Sequence, residues 1–206
     1  RGAAGAGAGA LGRGRAGAVS LVTLFVVLVA IAVLGLNRLI RTGLAAPRVP
    51  ERGVPDGLPW REVWIPAMRG KTLFGWFIPA GRHEGDTTPA LAILHGWGGN
   101  AEVMLPLAGP LHAAGYALLF FDARSHGRSD GDTFASLPRF AEDLEQAVCW
   151  LKRQPGVDAS RVGVIGHSVG AGAALLAASR RRDLAAVVSL AAFAHPATMM
   201  RRWLAW

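Results

Sequence analysis

The stretch 161–172, RVGVIGHSVGAG, constrains this chain more than any other part of it. Residues 162–165 form a short β-branched run suited to a buried parallel strand, and the small residues 171–179 read as a helix. Between them lies Gly166-His167-Ser168-Val169-Gly170, so the order is strand, tight turn, helix. The turn is expected to hold Ser168 in a strained backbone conformation, with glycine at 166 and 170 because side chains there would collide with strand or helix. The Ser168 hydroxyl is thereby pushed out at the top of the sheet. The free N–H of Val169, at the start of the helix, points to where an oxyanion would form. Gly-x-Ser-x-Gly by itself is a common pattern, and it is the strand–turn–helix context that makes Ser168 a candidate nucleophile.

A hydrophobic content of 51% in 206 residues is ample for one buried core plus an appendage. The net charge of +8 comes almost wholly from scattered arginines, with no basic stripe interleaved with aromatics, so no nucleic-acid partner is expected. The single cysteine, Cys149, excludes an internal disulfide or a cysteine-based metal cluster, and its apolar helical surroundings predict a buried structural thiol. The six histidines and the acids do not fall at ligand spacings, so neither metal nor cofactor is expected.

Residues 1–15 are Gly/Ala/Arg sequence without apolar periodicity and are expected to be disordered. Residues 16–37 carry no charge and as a helix would span roughly 33 Å, enough for a bilayer's hydrocarbon core. This predicts a single-pass transmembrane anchor over 16–40. A cleaved signal peptide fits less well, since the apolar run is long and Ala45-Ala46 is followed at once by Pro47-Arg48. Arg1, Arg13 and Arg15 precede the span while Arg38, Arg41, Arg48 and Arg52 follow it, so charge gives no orientation. The proline- and glycine-rich residues 41–59 read as a juxtamembrane linker, and 60–206 as the folded domain.

Within that domain, 61–65 and 72–78 are strand-like around the turn Arg69-Gly70-Lys71, consistent with an antiparallel hairpin. Strands at 90–94, 117–121, 162–165 and 185–190 alternate with helical patterns at 101–114, interrupted by Pro106 and Pro110, and at 140–153. Such alternation predicts an α/β fold with a mostly parallel sheet and flanking helices, whose site lies at the C-terminal strand ends. Two further loops stand at those ends. In His95-Gly96-Trp97-Gly98-Gly99-Asn100 the glycines let backbone approach a ligand and turn an N–H inward, that of Trp97; the other reading is a glycine-rich turn with Asn100 as a helix N-cap. The second loop is Asp122-Ala123-Arg124-Ser125-His126-Gly127-Arg128-Ser129.

Together the three loops closely resemble those of the α/β-hydrolase superfamily, in particular its bacterial branch of serine aminopeptidase-like, esterase and lysophospholipase-like serine hydrolases. The resemblance covers roughly residues 62–200. It implies that Ser168 is the nucleophile and that the N–H groups of Trp97 and Val169 form the oxyanion hole. It also implies that Asp122, Arg124 and His126 brace neighbouring loops, and that His95 holds the oxyanion loop together with Gly96 and Gly98. His167 is expected to point away from Ser168 and pack against the sheet.

In the family the triad acid and then the histidine follow the nucleophile, each after a later strand. Here Asp183 precedes its strand and so lies at the wrong sheet end, while His195 follows the strand at a position the family does not use for the base, with Pro196 fixing a turn. The chain thus reads as a piece of a longer serine hydrolase, without the cap, the last two strands, and the triad Asp and His. The parent would be membrane-anchored and act on an ester, thioester or amide of a small or lipid-like acyl substrate. The alternative is a non-catalytic, membrane-tethered, hydrolase-like scaffold. By itself the chain is expected to show no significant turnover and to self-associate through the apolar edge at 185–190 and through Met199, Met200, Trp203, Leu204 and Trp206.

Overall fold

Successive residues of a strand face opposite sides of a sheet, and the apolar runs of this chain supply both faces. The computed structural model describes residues 9–43, 45–81, 86–195, 197 and 201. Its six strands are β1 (Arg61–Pro66), β2 (Thr72–Ile78), β3 (Thr88–Leu94), β4 (Ala117–Phe121), β5 (Val157–His167) and β6 (Val187–Leu190). They form one sheet in the order β1-β2-β4-β3-β5-β6. The β1–β2 and β2–β4 pairs are antiparallel and the others parallel, the mixed α/β-hydrolase sheet that the loops implied.

The helices are α1 (Gly9–Gly43), α2 (Ala108–Ala113), α3 (Leu137–Leu151) and α4 (Val169–Arg180). On one face Ala92, Leu94, Leu119 and Val164 pack with Phe140, Leu144 and Val148 of α3 and Ala173 and Ala177 of α4. On the other, Leu91, Ile93, Phe120 and Ile165 meet Met104 and Ala108. The helix expected over 101–114 is split. Residues Ala101–Leu107 wind as a 3-10 segment, with Pro106 inside it, before α2 begins. Proline has no N–H and its ring crowds the preceding turn, so a continuous α-helix cannot run through it.

Helix α1 lies in a compact unit of its own, and the second unit begins at Ala45. Residues Ser20–Gly43 are long and apolar enough to cross a membrane by length and composition, with a mean hydropathy of 2.5. The helix starts at Gly9, so 9–15 is helical where disorder was expected; 1–8 lie outside the described residues. Alanine is the strongest helix former, and extending an existing helix needs no new nucleus.

The expected linker also needs correction. Pro55 is buried, Trp60 packs edge-on against Trp76 at 6.4 Å, and Leu58 joins the second core face. The sequence of this stretch has no periodicity because its contacts are made one residue at a time by an irregular backbone. Of the expected exposed tail, Met199, Met200, Trp203, Leu204 and Trp206 lie outside the described residues. Strand β6 is the last in the sheet order, with Val188 41% exposed.

Candidate active site

Strand β5 delivers Ser168 at its C-terminal end, directly before the first residue of α4. Ser168 has φ 55° and ψ −114°, a region that L-residues rarely occupy and that the surroundings must enforce. Its own N–H donates to the Leu190 carbonyl at 2.9 Å, fixing the turn to β6. A Cβ at Gly166 would overlap the Gly170 carbonyl, and one at Gly170 would overlap the carbonyl of His95, so both glycines are sterically required. The second overlap shows how closely the loop after β3 lies against α4. A Cβ at Gly96 would likewise stand 3.0 Å from that of Ser168.

The loop 95–100 is held from behind by His95, which is fully buried. Its Nδ1 lies 2.6 Å from the Gly96 carbonyl and its Nε2 lies 3.1 Å from the Ala123 N–H. A carbonyl can only accept and an N–H can only donate, so Nδ1 carries the proton and Nε2 accepts. Burial, aided by the neighbouring His126 ring, lowers the His95 pKa to about 3, so the ring stays neutral and holds both loops. Gly99 donates to the Gly96 carbonyl at 3.1 Å, closing the turn that contains Trp97. Among the described residues, neither the Trp97 N–H nor the Val169 N–H has a protein acceptor.

Behind the loop after β4 lies a buried ionic cluster. Arg124 is 2% exposed and donates from Nε to Asp143 of α3 at 2.6 Å and from one terminal nitrogen to Glu142 at 2.6 Å. Its backbone N–H reaches the other Asp143 oxygen at 2.8 Å, and Asp132 completes the cluster at 3.4 Å. His126 is also fully buried, with Nδ1 3.0 Å from the Arg124 carbonyl and its ring edge-on to Trp97 at 5.9 Å. Burial lowers its pKa from the ordinary imidazole value. The Ser129 hydroxyl donates to the Asp122 carbonyl and accepts the Phe74 N–H, tying this loop to β2.

The chain is similar to known proteins. The family model for serine aminopeptidases, S33, matches residues 85–206, more than half of the chain. The chain belongs to this family. An uncharacterized Mycobacterium tuberculosis protein is 33% identical over 128 residues, covering 62% of this chain and 44% of that one. A polyketide transferase of Stachybotrys chlorohalonatus is 34% identical over 133 residues, 63% of this chain and 43% of that one. Among solved structures, a Pyrococcus furiosus esterase superposes with a TM-score of 0.67 at 27% identity, covering 78% of this chain and 65% of that one. The chain therefore spans less than half the length of these two curated relatives.

Of the other residues singled out in this S33 domain, some sit differently from expectation and some, Asp183 among them, as expected. His167, the last residue of β5, is exposed instead of packed on the sheet. His195 is exposed, its Nδ1 accepting the Ala197 N–H at 3.2 Å. Asp183, at the far end of the sheet, is bound by Arg181 and Lys152, which hold its carboxyl well below the usual range. Cys149 is half-buried and accepts from Arg181 at 3.2 Å. Its helix turns it toward the rim, where the long arginine side chain covers it. The Asn100 side chain does not cap the segment that follows: its amide nitrogen donates to the Val49 carbonyl at 3.0 Å, while the Ala101 N–H goes to Asp122 at 2.6 Å.

That last bond reveals an element hidden in the sequence. Residues 47–52 form a strap across the two loops. A Cβ at Gly98 would stand 3.1 Å from the Pro47 ring, Arg48 donates to the Gly127 carbonyl at 3.3 Å, and the Arg52 N–H donates to Glu102 at 2.8 Å. Proline at 47 and 50 was the one available hint, since it favours an extended backbone whose carbonyls remain free to accept.

Proposed function

We propose that this chain carries the nucleophile and oxyanion hole of a membrane-anchored serine hydrolase acting on an ester, thioester or amide. The observation that supports this best is Ser168 itself: a serine at φ 55° between β5 and α4, with the Gly96 backbone packed against it. Ser168 Oγ attacks the carbonyl carbon, and the N–H groups of Trp97 and Val169 receive the developing oxyanion. Among the described residues no side chain hydrogen-bonds the Ser168 hydroxyl. The proposed triad acid and histidine come from sequence beyond Trp206. The histidine removes the serine proton and returns it to the leaving group. The esterase among the structural neighbours supports ester chemistry.

A fluorophosphonate applied to the complete enzyme is expected to add covalently to Ser168, with fluoride leaving. Peptide mass spectrometry should find the adduct on the peptide containing 166–170. Labelling of another serine, or none while an ester is being turned over, would refute the assignment.

The anchor follows from Ser20–Gly43, whose 24 residues span roughly 36 Å as a helix. After alkaline carbonate extraction of membranes the protein is expected in the pellet, and recovery in the supernatant would exclude a spanning helix.

A further inference from the structure

The strap and the loop after β3 meet in a surface that is apolar yet faces outward. Trp97 is 41% exposed, Val49 41% and Val103 56%. The three stand around one contact between loop and strap. Pro47 lies against Gly98, the Asn100 amide donates to the Val49 carbonyl, and Val103 Cγ2 would stand 3.4 Å from a Cβ on Gly99. Arg48 and Arg52 flank these side chains and are themselves exposed. None of the ion pairs among the described residues uses either guanidinium. Single exposed valines are ordinary, but a tryptophan and two valines between unpaired arginines match the boundary of a bilayer. There the indole ring sits at the headgroups, the valines leave water, and guanidinium groups meet phosphate.

Covalent reach favours a lipid surface over any other partner. Three residues separate Gly43, the last of the apolar span, from Pro47. An extended chain advances at most about 3.6 Å per residue, so these four steps cover no more than about 14 Å. We propose that the face formed by Val49, Trp97 and Val103, with Arg48 and Arg52 beside them, rests on the anionic surface of the bilayer that holds the span. The docking rests on the anchor reading. On the serine-hydrolase reading it also names the substrate: an acyl ester of a membrane lipid, delivered from the bilayer to the loop that carries the Trp97 N–H.

The charge pattern along the chain agrees. Residues 38–50 carry Arg38, Arg41 and Arg48 and no acid, so positive charge continues from the end of the span into the strap. Such a juxtamembrane run is attracted to anionic headgroups, and the attraction fades within a Debye length of the surface. The strap lies well inside the distance over which the chain can carry it there. With the span already holding the chain at the membrane, docking is an intramolecular step, and the modest gain from a few side chains is enough to populate it.

The test reconstitutes the full chain, with Cys149→Ser and one new cysteine carrying a fluorophore, in vesicles of phosphatidylcholine and phosphatidylglycerol at about two to one. Probes at Val49→Cys and Val103→Cys are expected to be quenched by nitroxide-bearing lipid about threefold more than a probe at Ala159→Cys, an exposed position at the opposite end of β5. Arg52→Gln should lower the ratio of docked to undocked chain about fivefold, and vesicles without phosphatidylglycerol should lower it further. Equal quenching at positions 49, 103 and 159 would overturn the docking face. Quenching indifferent to both phosphatidylglycerol and Arg52 would overturn its anionic partner. A probe at Leu28→Cys reports the span separately: quenched there but not at 49 and 103, the anchor stands and the face falls; the reverse supports the face and refutes the span. In the complete enzyme, Val103→Asp should lower about tenfold the ratio of turnover of a vesicle-borne phospholipid to that of a short-chain p-nitrophenyl ester. An unchanged ratio would overturn the lipid substrate, while fluorophosphonate labelling of Ser168 decides the hydrolase reading independently.

Discussion

Ser168→Ala in the complete enzyme is expected to lower kcat for a short-chain p-nitrophenyl ester by about 10⁶, equivalent to about 8 kcal/mol of transition-state stabilisation. On the proposed assignment the alanine removes the attacking oxygen but leaves the backbone that presents it, and the Trp97 and Val169 N–H groups would still face the substrate carbonyl. A residual rate above the uncatalysed background should therefore survive, with KM changed far less than kcat. The fold should also persist, since Ser168 contributes no side-chain hydrogen bond among the described residues. Ser168→Gly should be more stable than Ser168→Ala by about 1 kcal/mol, because glycine adopts φ 55° without strain. Steady-state kinetics and a urea melt on the same preparations provide both numbers. Unchanged hydrolysis in Ser168→Ala would remove Ser168 from the mechanism.

Arg124→Ala is expected to destabilise the S33 domain by about 3–5 kcal/mol. Its guanidinium is 2% exposed and satisfies Asp143, itself 1% exposed, together with Glu142 and Asp132. Removing it leaves a buried carboxylate facing other acids without a counter-charge, and that penalty exceeds anything the pair contributed while intact. Arg180→Ala makes the contrast: that side chain is 46% exposed and lies 3.6 Å from Glu145, so its loss should cost under about 1 kcal/mol. Urea unfolding of the full chain in micelles, followed by tryptophan fluorescence, compares the two. Equal midpoints would mean that the Arg124 cluster does not hold the loop after β4 against α3.

The same loop shows where sequence reading stops. Asp122, Arg124 and His126 were recognisable as loop supports from their motif, yet Asp143, Glu142 and Asp132 were not. They lie on a later helix and turn, and nothing in a helical period marks which of its acids will face an arginine eighteen or nineteen residues earlier. His167 is the last residue of β5 and is exposed; how far a strand's end is covered is set by elements elsewhere in the chain.

What the sequence by itself determined follows from short-range sterics and period. Gly166 and Gly170 flank a serine at positive φ, the short β-branched runs between turns are strands, and the long uncharged stretch is a helix. These depend mainly on near neighbours along the chain, although the Gly170 requirement comes from the His95 carbonyl. Only the tertiary structure decided that Pro47, Arg48 and Val49 strap the loops after β3 and β4, and that Asp122 takes the Ala101 N–H. These contacts join residues 21 to 79 positions apart through irregular backbone, where no periodicity can announce them. Their hydrogen bonds form because burial strips water from groups that must then find a partner wherever the fold brings one.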